Sequence, residues 1–225
     1  MSTTARLIIF ARLPILGKVK TRLEQLLGQE GCLALHLVLI EHSLNLASFW
    51  KHGAVELWWS EQPESEAHQD EVMNLLDLPE DLTVRFQQGE NLGERMQYAM
   101  QSALDHGELA MVIGTDCPQQ TIEHLDRAVE LIDSGLDVAV QPAFDGGFVL
   151  IACASRVPNL EGEIFWGSET VLSQLELELE KQQLSIGKIE TISDLDNEKD
   201  FLLLQQDESH ILSKFYLKKS ALKIS

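Results

Sequence analysis

Three observations predict a three-layer α/β/α fold on a mostly parallel sheet. Short apolar runs such as Leu7–Phe10, Ala54–Trp59 and Leu109–Ile113 recur along the chain, and most are followed by a stretch with helical spacing. The runs read as strands buried on both faces, the pattern of a parallel sheet covered by helices. The length, 225 residues, suits one domain, and no linker or internal repeat divides it. A single domain over 1–225 follows, with a core of about 6–205 and a separate C-terminal helix over 210–224.

The elements follow in order. Leu7–Phe10 is a buried strand, and the loop after it runs from Arg12 to about Thr21. A long helix spans Thr21–Trp50, with breaks expected near Gly28 and Gly31. Ala54–Trp59 is the second strand, and Gln62–Leu76 a polar loop and helix. Thr83–Gln87 alternates and forms the third strand. Asn91–His106 is a helix with Leu92, Met96 and Met100 at helical spacing and Asn91 as N-cap. Leu109–Ile113 is the fourth strand and ends on Gly114-Thr115-Asp116-Cys117-Pro118. A helix over Gln120–Ser134 closes on Gly135. Asp137–Gln141 and Phe148–Cys153 are strands joined through Asp145-Gly146-Gly147. Ser168–Gln183 is a helix, Ile186–Ile192 a late strand, and Asn197–Gln205 a further helix. In His210–Ile224, Ile211, Leu212, Phe215 and Leu222 fall on one face.

Composition narrows the function. There are 17 Lys+Arg against 36 Asp+Glu, a net charge of −19, so general binding to nucleic-acid backbones is disfavoured. Hydrophobic residues make up 44% and charged residues 24%, which excludes intrinsic disorder. Cys32, Cys117 and Cys153 are widely spaced and form no C-x-x-C pair, which argues against a disulfide framework or structural zinc. The apolar run at the N-terminus is too short for a signal peptide. No apolar stretch approaches the ~18 residues of a membrane span, so no integral membrane segment is expected and a cytoplasmic location is the default.

The charge is uneven. Residues 1–23 hold Arg6, Arg12, Lys18, Lys20 and Arg22 without an acid, and residues 213–225 hold four lysines without an acid. The span 24–212 therefore carries −28, the −19 total less the +5 and +4 of the two ends. A basic loop on an acidic chain points to a compact anionic ligand. The C-terminal lysines read as offsets to neighbouring acids.

Ligands of open parallel sheets bind at the carboxyl ends of the strands. Four groups fall there. In the Arg12–Leu23 loop, Gly17 permits close backbone approach, and Lys18, Lys20 and Arg22 supply cations at a helix start. The loop is neither G-x-x-x-x-G-K-[ST] nor G-x-G-x-x-G. Asp116 ends a buried strand; it fits a cation ligand and equally a turn residue before Pro118. Asp145-Gly146-Gly147 fits both a ligand-facing turn and a hairpin. In Asp194-Leu195-Asp196 either acid fits a second metal ligand, while Asp196 also suits the start of the following helix. One basic loop and three acidic strand ends together read as a metal–phosphate site.

These residues resemble a family. Phe10–Leu23 (FARLPILGKVKTRL), Gln88–Met96 (QGENLGERM), Gly114–Pro118 (GTDCP), Gln141–Phe148 (QPAFDGGF), Phe165-Trp166 and Asp194-Leu195-Asp196 match, in order, motifs of the bacterial glycosyltransferase-like family DUF2064, also called selenodomain-associated transferase 1. The resemblance covers roughly residues 6–205. It implies a Rossmann-like GT-A fold of the nucleotide-diphospho-sugar transferase superfamily, which also holds nucleotidyltransferases such as molybdenum-cofactor guanylyltransferase. It implies nucleotide and phosphate binding by Arg12, Gly17, Lys18, Lys20, Arg22, Gly93 and Arg95, and catalytic roles for Asp116 and Asp145. Gly146, Gly147 and Trp166 would face the sugar or acceptor. Asp116, Asp194 and Asp196 would hold Mg²⁺ or Mn²⁺. Two alternatives stand beside these roles: Arg95 as a helix-surface pair with Asn91 or Glu94, and Trp166 as core.

The chain also departs from the superfamily. Glycosyltransferases of this fold usually carry D-x-D after the fourth strand, whereas Thr115-Asp116-Cys117 offers one carboxylate. Nucleotidyltransferases usually open on a richer glycine loop. The expected activity is a glycosyltransferase taking a nucleotide-diphosphate sugar, with an unnamed acceptor. A nucleotidyltransferase that releases pyrophosphate is the alternative, followed by a non-catalytic nucleotide-binding protein.

Overall fold

A computed structural model of the chain describes residues 4–63, 65, 72, 74–206 and 210–222. The strands are β1 (Ala5–Ala11), β2 (Val55–Trp59), β3 (Thr83–Phe86), β4 (Leu109–Gly114), β5 (Val138–Pro142), β6 (Phe148–Cys153) and β7 (Ile186–Lys188). The helices are α1 (Glu24–Ala47), α2 (Leu92–Leu104), α3 (Ile122–Asp133), α4 (Val171–Lys181), α5 (Glu198–Gln206) and α6 (His210–Ala221). One sheet holds all seven strands in the order β3-β2-β1-β4-β6-β5-β7. β6 alone runs antiparallel to its neighbours, between β4 and β5, and the other pairings are parallel. Most of the expected Gln62–Leu76 loop and helix lies outside the described residues.

The side-chain alternation of β1 sets the layers. Leu7 and Ile9 join Leu37 and Ile40 of α1 and Leu125 and Val129 of α3 on one face. Ile8 and Phe10 join Met96 and Met100 of α2 and Leu175 and Leu179 of α4 on the other. A third cluster forms behind α1, where Leu35, Val38 and Leu39 meet Phe201 of α5 and Ile211 and Phe215 of α6.

That sandwiching explains why α1 is apolar nearly all round. It also corrects one expectation: Thr21–Ala47 is a helical stretch long and apolar enough to cross a membrane by length and composition. Sixty-one per cent of its apolar window is buried inside the protein, between the sheet and the C-terminal helices. The break within it falls at Gly28, whose φ of 71° lies in the left-handed region, while Gly31 stays helical.

Caps form as the sequence dictates. The Asn91 side chain accepts from the Glu94 N–H at 3.0 Å, and Glu94 reaches back to the Glu90 N–H at 2.8 Å. In α6, Lys218 pairs with Glu41 at 2.5 Å and Lys219 donates to the Leu27 carbonyl at 3.2 Å. Those C-terminal lysines fasten α6 onto the rest of the chain. Cys32, Cys117 and Cys153 are free thiols, all buried.

Candidate nucleotide-transfer site

The parallel strands end on one edge of the sheet, and the loops beyond them enclose a cleft of about 550 Å³. Arg12 and Lys20 come from the loop after β1, Arg22 from the 3-10 turn Thr21–Leu23, and Arg95 from the first turn of α2. Asp116 enters from the end of β4 and Asp145 from the turn between β5 and β6. A second chamber of about 260 Å³ adjoins it. The two share Phe10, Leu92, Gly114, Asp116, Asp145 and Gly167.

Lys20 is the knot of the site. Its side chain is only 3% exposed, and Nζ meets Asp116 Oδ1 at 2.8 Å and donates to the Leu195 carbonyl at 2.5 Å. The Leu195 N–H donates in turn to the Asp116 carbonyl at 2.8 Å, so the loops after β1, β4 and β7 are tied together. Lys20 itself holds a left-handed backbone, φ 48° and ψ 36°, uncommon for a residue with a side chain. The Cys32 thiol donates to its carbonyl at 3.2 Å.

Burial alone would raise the pKa of Asp116. The Lys20 ammonium beside it, helped by Arg12, outweighs burial and holds the carboxyl below the usual range. Its side chain is 48% exposed, and it lines the charged cleft.

His36 was not singled out by the sequence reading. It sits in the apolar run of α1, 3% exposed, and its Nε2 donates to the Arg12 carbonyl at 2.9 Å. Burial lowers its pKa against the opposing pull of Asp116, which keeps the ring neutral. Its signal was one polar residue inside Leu33–Ile40. Ser60 and Gln87, which follow β2 and β3, line the cleft as well. They were legible only as strand-end positions.

The remaining predicted residues divide. Arg22 reaches the cleft and pairs through Nη1 with Asp196 Oδ2. Arg95 lines the cleft, with Nε donating to the Gly89 carbonyl at 3.1 Å. Gly17 and Lys18 do not line it; Gly17 turns the loop with a φ of 75°. Arg6 is withdrawn into a buried cluster with Glu56 at 3.2 Å and Glu108 at 2.5 Å. Gly93 is closely packed: a Cβ there would stand 2.6 Å from the Leu160 carbonyl and 2.9 Å from Trp166. Gly146, with a φ of 89°, is pressed against the Glu169 carbonyl and fixes the turn, while Gly147 lines the smaller chamber and donates to Asp145 Oδ1 at 2.9 Å. Trp166 is half-buried, packs edge-on to Phe148 at 6.2 Å and also lines that chamber.

The expected metal set is divided. Among the described residues no group of three or more His, Cys, Asp or Glu side chains stands close enough to hold a metal ion. Asp196 faces the basic cleft and is taken by Arg22, whereas Asp194 faces the smaller chamber. The start of α5 is capped by Asn197, whose Oδ1 accepts from the Lys199 N–H at 2.9 Å. Asp116, Asp145 and Asp194 all line the smaller chamber without closing into such a group, and their oxygen donors are of the kind a hard cation takes. Burial, then the charge of Asp145, pushes Asp194 up to about 6, a repulsion that a cation would relieve.

The fold is shared with solved proteins described as a nucleotide-diphospho-sugar transferase and a cytidylyltransferase. A protein from Desulfovibrio desulfuricans G20, provisionally described as a nucleotide-diphospho-sugar transferase, superposes with a TM-score of 0.83 at 24% identity, over 99% of this chain and 100% of its own. CMP:2-keto-3-deoxy-manno-octonic acid synthetase complexed with CTP gives 0.58 at 13% identity, over 91% and 100%. Rv0371c of Mycobacterium tuberculosis H37Rv, in complex with manganese, gives 0.52 at 13%, over 92% and 100%. No curated protein matches the chain in sequence. Residues 46–168 match the model of the family described as "Uncharacterized protein conserved in bacteria (DUF2064)", and the chain belongs to that family.

Proposed function

We propose that this chain is a transferase that holds the diphosphate of a nucleotide-activated sugar in the basic cleft and passes the sugar to an acceptor in the adjoining chamber. One observation carries the reading: Arg12, Lys20, Arg22 and Arg95 line the same cleft as Asp116 and Asp145, at the carboxyl edge of the sheet. The guanidinium groups suit forked contacts to phosphate oxygens, and Lys20 supplies a point charge. Asp116 with Asp194 would hold Mg²⁺ or Mn²⁺, whose charge would neutralise the leaving diphosphate. Asp145 lies at the wall common to both chambers, placed to orient the incoming hydroxyl and accept its proton. His36, neutral and fixed on the Arg12 carbonyl, positions the loop that carries Arg12.

A second reading is nucleotidyl transfer from an NTP. It is favoured by the lone carboxylate of Thr115-Asp116-Cys117 and by the likeness in fold to a synthetase complexed with CTP. The test is to incubate the chain with panels of NDP-sugars and NTPs, each with Mg²⁺ or Mn²⁺, and to separate the products. Metal-dependent release of a nucleoside diphosphate from one NDP-sugar supports the first reading, and pyrophosphate release from an NTP the second. Release of neither across both panels overturns catalysis and leaves a nucleotide-binding protein.

A further inference from the structure

We propose that the smaller chamber takes an acceptor whose hydroxyl is carried on a compact apolar body, a single ring or a short branched chain. The inference rests on the transferase reading and deepens it. Phe10, Met96, Val112, Phe148, Trp166 and Val171, drawn from β1, α2, β4, β6, the 165–168 loop and α4, make the walls. Among the described residues no Lys or Arg lines it, in contrast with the basic cleft next door.

Its ionisable carboxylates are Asp116, Asp145 and Asp194, and the one side-chain hydroxyl among its lining residues, that of Ser168, is already engaged with Thr170 at 2.9 Å. An apolar body would meet matching walls and turn its hydroxyl toward the carboxylates. The volume, about 260 Å³, lies just under the range of about 300–1,000 Å³ usual for drug-sized ligands, which limits the occupant to something small. Two phenylalanines stand on the loops that frame the chamber, Phe144 at 74% and Phe165 at 68% exposure.

The chemistry balances within the site. The acceptor oxygen bonds to the anomeric carbon of the sugar as the bond from that carbon to the diphosphate oxygen breaks. The electron pair leaves on the diphosphate, and the hydroxyl proton passes to the Asp145 carboxylate. One oxygen of that carboxylate is held by the Gly147 N–H at 2.9 Å, which leaves the other to take the proton.

The test uses the full chain and two probes with equal numbers of heavy atoms, benzyl alcohol and erythritol, followed by NMR shifts of backbone amides and indole N–H groups. The structure predicts saturable binding of benzyl alcohol at a Kd at least tenfold below that of erythritol, with shifts centred on Phe148, Trp166 and Val171. Trp166→Ala should weaken it at least fivefold, and the wild-type comparison stands even where that variant folds poorly. Equal or tighter binding of erythritol, or benzyl alcohol shifts that neither saturate nor centre on the chamber, overturns the proposal. A nucleoside diphosphate added to the same samples separates the two readings. If it shifts Arg22 and Arg95 while benzyl alcohol fails, the acceptor inference falls and the transferase reading stands. If no nucleotide binds, the transferase reading falls and takes the acceptor role with it.

Discussion

Replacing Lys20 by Met removes two charged contacts at once, the 2.8 Å pair with Asp116 and the 2.5 Å bond to the Leu195 carbonyl. Each bond to a charged group contributes about 1.5–3 kcal/mol when buried. Asp116 is 48% exposed, so solvent takes up part of its loss and that contribution falls toward the low end. The expected cost is about 2–4 kcal/mol, or roughly 5–15 °C in Tm for a chain of this size. The pH dependence identifies the cause. Asp116 is held below its ordinary 3.8, so its pairing contributes stability above that value and loses it as pH falls through the depressed pKa. In the Met variant, burial acts unopposed by Lys20 and the carboxyl titrates higher. The difference between wild type and Lys20→Met should therefore be largest near pH 7 and shrink toward pH 3. Urea unfolding at several pH values measures it. A difference below about 0.5 kcal/mol, or one that does not vary with pH, would show that Lys20 does not hold Asp116 in its charged form.

Other expectations follow from the same geometry. Asp194 has its pKa raised to about 6, first by burial and then by Asp145, so its ionisation destabilises the fold progressively as pH rises from about 4 to 6. Asp194→Asn should then raise stability by about 1 kcal/mol at pH 7.5, allowing for partial exposure, and change little at pH 4; thermal melts at the two pH values compare them. Gly146→Ala should cost roughly 2 kcal/mol or more, since its φ of 89° disfavours a side chain and a Cβ would stand 1.9 Å from the Glu169 carbonyl. Calorimetric melts check that loss. Arg22→Ala should leave stability within about 0.5 kcal/mol, because its pair with Asp196 is largely exposed, yet weaken nucleotide binding by roughly 1.5–3 kcal/mol in titration calorimetry.

How far the sequence carries depends on whether a feature is local. Apolar runs such as Leu7–Phe10 identify buried strands because alternate side chains meet helices on opposite faces, and Asp116 stands out because an acid after Leu109–Ile113 needs a partner. The Asp145-Gly146 turn was legible as a hairpin, and it is what lets β6 run antiparallel between β4 and β5. The partners themselves were not legible. Arg6 counted as one of five N-terminal cations, but Glu56 and Glu108 claim it from 50 and more residues away. Gly93 sits inside a motif, yet its bareness serves Trp166 and Leu160, which only the docking of α2 brings near. Asp194 and Asp196 are two apart on a short connection and face different chambers, a split that text spacing does not encode. His36 became visible only when the loop after β1 folded back over α1.

In the proposed function one cleft binds nucleotide phosphates through its cations and a divalent ion through Asp116. Titration calorimetry of the chain with NDP-sugars and NTPs, with Mg²⁺, with Mn²⁺ and with chelator, alongside Asp116→Asn, tests it most directly. A bound nucleotide at 100 times its Kd should also stabilise the fold by about 2.7 kcal/mol. Tight binding of at least one nucleotide with metal is expected, with weaker binding in chelator and loss of that metal dependence in Asp116→Asn. Binding unchanged by either chelator or the substitution, or no binding by any nucleotide, would contradict it.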